Sequence, residues 1–198
     1  MGGRRFFAVL LLLTGGAARA ETSPWERVQI HGFASQAVVN TSDNRWFGNS
    51  PDTSFDFTEL GLNGSFQLDP KILLSAQILA RRAGEMYDGA PSLDYALGDF
   101  TLTASAEQRV GARVGRIKNP LGLYNETRDV PFTRPTIFLP QVVYFDKVRN
   151  LLLSSDGMML YGEYFGSGGN LSVVVGGGQP VIDTNVEWAY LGGDFPGD

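Results

Sequence analysis

The chain has no cysteine and a single histidine, His31, in 198 residues. With no cysteine there is no disulfide framework and no thiolate metal centre. One histidine, with neither a GxSxG nor an HExxH pattern, gives no support for a Ser-His-Asp array or a zinc site. The expectation is a non-enzyme with no catalytic residue, no metal site and no cofactor. Long apolar runs are missing too: no segment approaches the roughly 18 consecutive apolar residues of a transmembrane helix. Bases are few, 16 Lys and Arg against 21 Asp and Glu, a net charge of −5, which argues against a nucleic-acid partner.

The N-terminus points to export. Arg4 and Arg5 precede an apolar run from Phe6 to Leu13, followed by Ala18-Arg19-Ala20, the three regions of a secretory signal peptide with cleavage expected after Ala20. Removing residues 1–20 takes away three arginines and leaves 13 bases against 21 acids, a net of −8.

Glycine is abundant, 25 residues, and aromatics reach 12%. Apolar residues recur at period two, which leaves a secreted β-sandwich or a membrane β-barrel. In 54–68, Leu60, Leu62, Phe66 and Leu68 share one face, while Glu59, Asn63, Ser65 and Gln67 share the other. Strands are expected at 28–40, 54–68, 71–82, 95–106, 109–118, 158–165 and 170–178, with Val186, Trp188 and Tyr190 suggesting an eighth over 184–191. Long connections at 41–53, 83–94 and 119–157 alternate with short ones, as in outer-membrane barrels with short periplasmic turns and longer outer loops. The acids Asp43, Asp52, Asp56, Glu85, Asp88 and Asp94 fit no calcium loop and read as solvated surface. His31 reads as a rim or lumen residue.

Residues 116–135, "RIKNPLGLYNETRDVPFTRP", are different in kind. Pro120, Pro131, Pro135 and Pro140 deny the segment a strand ladder. From 116 to 149 there are six bases and three acids, against seven and eighteen in the rest of the mature chain.

The opening "VQIHGFASQ", the hairpin "FTELGLNGSFQLDPKILLSAQILAR" and above all "GRIKNPLGLYNETRDVPFTRPTIFLPQVVYFDKVRN" resemble Gram-negative outer-membrane porins, both the phosphate-selective type and the general trimeric type. The resemblance implies an all-β, antiparallel transmembrane β-barrel of about 16 strands, of which this chain supplies the N-terminal seven or eight. It further implies passive diffusion of small hydrophilic solutes or ions, contacts with outer-membrane lipids and lipopolysaccharide, a homotrimer, and a third outer loop, 119–157, folded inward. In such a pore Lys118, Arg128, Arg134 and the wall residues Arg109 and Arg113 would attract anions, with Glu59, Asp99 and Glu163 as the opposing acidic side. The lysine ladder of the phosphate-selective type is not visible. Phe132, Phe138, Tyr144 and Phe145 are candidate anchors for the loop. The tail "GGDFPGD" lacks the final aromatic strand residue with which such barrels end, so a front half is expected. The alternatives are a small eight-stranded barrel with a structural or surface-binding role, and a secreted β-sandwich.

Overall fold

Period-two alternation produces seven antiparallel strands in one sheet, each paired with its neighbours in sequence. The computed structural model describes residues 24–45 and 47–192; the expected signal peptide at 1–20 lies outside them. The strands are β1 (Val28–Val39), β2 (Ser54–Asp69), β3 (Ile72–Ala83), β4 (Asp88–Ala104), β5 (Gln108–Lys118), β6 (Ser154–Gly166) and β7 (Gly169–Pro180). The α-helices among the described residues are α1 (Arg149–Leu153) and α2 (Thr184–Leu191). The protein is all-β in class, and its sheet is open between β1 and β7.

Register puts the apolar positions of successive strands on one face. Leu62 sits between Gly32 and Ile78, and the row Phe100, Ala112, Leu160, Val175 crosses β4 to β7. This outer face is uncovered: Leu62 is 58% exposed, Ile78 49%, Leu160 48% and Val175 66%. The opposite, inner face carries Glu59, Gln77, Arg81, Asp99 and Tyr161, all buried.

Burial there comes from residues 119–153, hereafter the insert, which packs over the inner face. An aromatic cluster helps to hold it. Phe138 of the insert meets Phe47 of the first connection at 5.1 Å between ring centres and Phe57 of β2 at 5.2 Å. Around them pack Ala37, Val39, Ala83, Met86 and Tyr87. Tyr144 is also buried, whereas Phe132 is 81% exposed and Phe145 44%, so two of the four candidate anchors engage.

The third connection ends at 153 and not at 157, since β6 already pairs with β5 at Ser154, opposite Lys118. Two further expectations are corrected. The connection after β3 is not 83–94 but only 84–87, because the β3–β4 ladder continues to Arg82 opposite Asp88. Register shifts beside Gln77 and Ala80 absorb the Gly, Pro and Asp residues, as β-bulges do. The long-and-short alternation is correspondingly weaker at its second long member. The other correction concerns 184–191, which is helix α2 and not an eighth strand. Asp183 caps it, its carboxylate accepting from the Val186 N–H at 2.9 Å, and Gly192 ends it in the left-handed region at φ 77°. An Asp N-cap and a glycine just past the last turn satisfy helix ends that a strand would not have.

Candidate functional site

The inner face and the insert meet through ion pairs whose members are far apart in sequence. On β2 and β3, Glu59 and Arg81 lie opposite each other, and Arg81 Nε donates to Glu59 Oε1 at 3.1 Å. The insert adds to both. Arg134 Nη2 donates to Glu59 Oε2 at 2.5 Å, and Arg81 Nη2 donates to Asp146 Oδ2 at 2.5 Å. Arg128 Nη2 reaches Asp146 Oδ1 and the Tyr144 carbonyl, each at 3.3 Å.

A second group lies along β4. Arg149, at the start of α1, donates both terminal nitrogens to Asp94 at 3.0 and 2.9 Å. Lys118 Nζ donates to Asp129 Oδ1 and to the Glu126 carbonyl, both at 2.7 Å. Gln77 also donates to Asp129 and, at 3.2 Å, to Asp94. The insert's own base is closed by Asn125, whose amide donates to the carbonyls of Asn119, Leu152 and Leu153.

Further along the sheet, Arg113 Nε donates to Asp99 Oδ2 at 3.1 Å, and Arg113 Nη1 approaches Glu126 at 3.5 Å. Tyr161 donates to Asp99 Oδ1 at 2.7 Å. Glycine makes that reach possible. Gly111 faces Tyr161 in register, and any Cβ there would collide with the phenol ring and the Phe100 carbonyl. Arg109 lies over the Tyr161 ring at 5.4 Å and is paired in register with Glu163.

The eight residues singled out from sequence therefore all lie on or beside this surface, but not as two opposed rows. Arg134 and Glu59 are partners, as are Arg113 and Asp99. Lys118 and Arg128 are engaged by Asp129 and Asp146, acids of the insert itself. Arg81, Asp94, Asp129, Asp146 and Arg149 were not singled out as site residues. Asp94 in particular is 2% exposed, not solvated surface, because the extended β4 carries it under α1. No period-two pattern reports it: Tyr95 pairs with Gln77 and Leu93 with Ile78, which leaves Asp94 as the extra residue of a bulge.

Electrostatics follow from this crowding. Burial pushes the Asp146 carboxyl up, but Arg81 and Arg128 outweigh it and hold the group below its ordinary value of 3.8. A carboxylate depressed in the folded state contributes stability above its unfolded pKa and loses it as pH falls through the folded one. Unfolding midpoints in urea should thus receive Asp146's full contribution at pH 5 to 7 and lose it below about 4. Asp146→Asn should shrink that acid-induced loss; an unchanged acid profile would show that the pairs do not form.

Compared with known proteins, the chain matches no family model, no curated protein and no solved structure.

Proposed function

We propose that the chain builds the wall of an outer-membrane porin, a passive channel for small hydrophilic solutes or ions, with the insert as a constriction on its lumen side. The observation that carries this reading is the distribution of polarity across the sheet. A water-soluble sheet covers its apolar face and leaves its polar face to solvent. Here the charged face lies under the insert, and the leucine, valine and phenylalanine face is bare.

The bare face has limits that suit a bilayer. From Leu60 to Leu68 of β2 it runs nine residues, about 26 Å along the strand, and strand tilt brings the height to about 20 Å. Past its end, toward the long connections, charged pairs take over. Arg116 grips Asp156 through two bonds of 2.8 Å, and Arg82 meets Asp56 at 2.7 Å. By register, Arg116 and Arg82 share the face of Val114 and Leu60. An apolar band ending in a charged rim fits the outer headgroup level, where lipopolysaccharide phosphates and their counterions lie.

The secreted-sandwich reading would need another sheet against Leu62, Ile78 and Leu160. The eight-stranded alternative loses the strand expected at 184–191. Neither is favoured by a specific observation.

Planar-bilayer recording on the protein purified from native membranes tests the reading. Stepwise conductance is expected, and replacing residues 121–151 by a short Gly-Ser linker should raise each step severalfold. A protein that stays monodisperse in water without detergent and gives no steps would end the porin reading.

A further inference from the structure

Between the insert and β2–β3 lies a small enclosed space bordered by Glu59, Arg81, Arg128, Arg134, Tyr144 and Asp146. Two of the lining arginines, Arg81 and Arg134, each hold one buried guanidinium nitrogen, Arg81 Nη1 and Arg134 Nε, that has no hydrogen-bond partner among the described residues. The parent side chains are only 4% and 9% exposed. A buried charged donor left without an acceptor bears its full desolvation penalty, so the two nitrogens call for an acceptor.

Both surrounding carboxylates are already engaged by other donors, and neither reaches the two orphan nitrogens. Glu59 receives Arg81 Nε on one oxygen, and Arg134 Nη2 and Ser35 Oγ on the other. Asp146 receives Arg81 on one oxygen and Arg128 on the other. The Phe57 and Tyr87 rings, 5.3 and 5.1 Å from the Arg81 head, favour its charge but offer no lone pair in the plane of its N–H groups.

Charge points the same way. Arg149 is neutralised by Asp94. The remaining cage sets Arg81, Arg128 and Arg134 against Glu59 and Asp146, a surplus of one positive charge. Burial above all, with Arg149 beside it, brings the Arg128 pKa down to about 10 despite Asp146.

We propose that this space holds one small monovalent anion of halide type, which accepts hydrogen bonds from Arg81 Nη1 and Arg134 Nε and clamps the insert onto β2 and β3. Its size favours the smallest anions: the space is ≈ 10 Å³, room for a single water-sized particle, so a halide requires a small outward shift of the two arginine heads and phosphate, sulfate or a carboxylate a much larger one. The clamp is a structural site and not a step in conduction. It stands whether or not the sheet closes in a membrane, because every group of the cage belongs to the described residues.

Crystals of the purified protein grown in sodium bromide test it directly. An anomalous peak is expected within hydrogen-bonding reach of both orphan nitrogens. In solution, the melting temperature in chloride should exceed that in gluconate at equal ionic strength by roughly 3 °C, and Arg134→Gln should abolish the difference. A water at that position in the bromide crystals, equal melting in the two anions, or a bromide peak that persists in Arg134→Gln would overturn the site. The bromide map of the unmodified protein decides the matter even if the variant fails to fold.

Discussion

Asp94→Ala is expected to cost the folded protein about 3–5 kcal/mol. The reason is what it leaves behind. Arg149 is 4% exposed and spends two donors on Asp94, itself 1% exposed as a side chain. Removing the carboxylate strands a guanidinium that desolvation already opposes and whose charged form Asp94 supports first, ahead of the more distant Asp129. Gln77 Nε2 loses an acceptor at the same time, although its bond to Asp129 remains. The reverse change is milder in kind: a buried pair replaced as a unit by apolar groups is often neutral or stabilising. Asp94→Ala combined with Arg149→Met should therefore recover most of the loss. Equilibrium unfolding in urea of the wild type, the single variant and the double variant measures both. A single-variant loss below about 1 kcal/mol would mean the pair is in contact with water, and α1 would not be pinned to β4.

Leu62→Arg separates a lipid-facing sheet from a water-facing one. Leu62 projects from β2 on the bare face, flanked in register by Gly32 and Ile78, and is 58% exposed. In water an exposed leucine tolerates arginine within about 0.5 kcal/mol. Inside a bilayer the same change near the midplane costs about 2–4 kcal/mol, with a smaller cost toward the interfaces. Ser75→Arg on the inner face, opposite Ser65, is the matched control and should cost less. Unfolding titrations in lipid vesicles give the comparison. Equal costs at the two positions would remove the polarity argument for a membrane wall.

Much of the sheet could be read in the sequence because period two is a strong signal wherever one face is apolar. Leu60, Leu62, Phe66 and Leu68 locate β2, and Val110, Ala112 and Val114 locate β5. The signal failed where local chemistry imitates something else. Asp88, Gly89 and Pro91 look like a loop, yet bulges carry them as strand. Val186, Trp188 and Tyr190 alternate as in a strand, but only Val186 is buried, and the Asp183 cap decides for helix. The insert was conspicuous through its prolines and its positive charge. Its pairings were not, since Arg134 and Glu59 are 75 residues apart and no local pattern reports such a distance. The same limit explains why the basic residues were expected as open anion attractors. Composition counts charges; only the fold says which of them face each other.

The order in which partners appear along the chain has a consequence for assembly. Each strand pairs with the one made just before it, so β1 to β5 can grow by hairpins before the one long closure, across the insert to β6, has to be made. When residues 119–153 follow β5, the groups that receive them on the sheet are already in place: Glu59 on β2, Gln77 and Arg81 on β3, Asp94 on β4. The insert can thus settle onto a surface five strands wide before β6 and β7 form. The later elements add lighter ties, Asn150 to Asp183 and Lys147 beneath Trp188. Docking is in this sense directional, running from the N-terminal strands forward, and the plug precedes the wall that would enclose it.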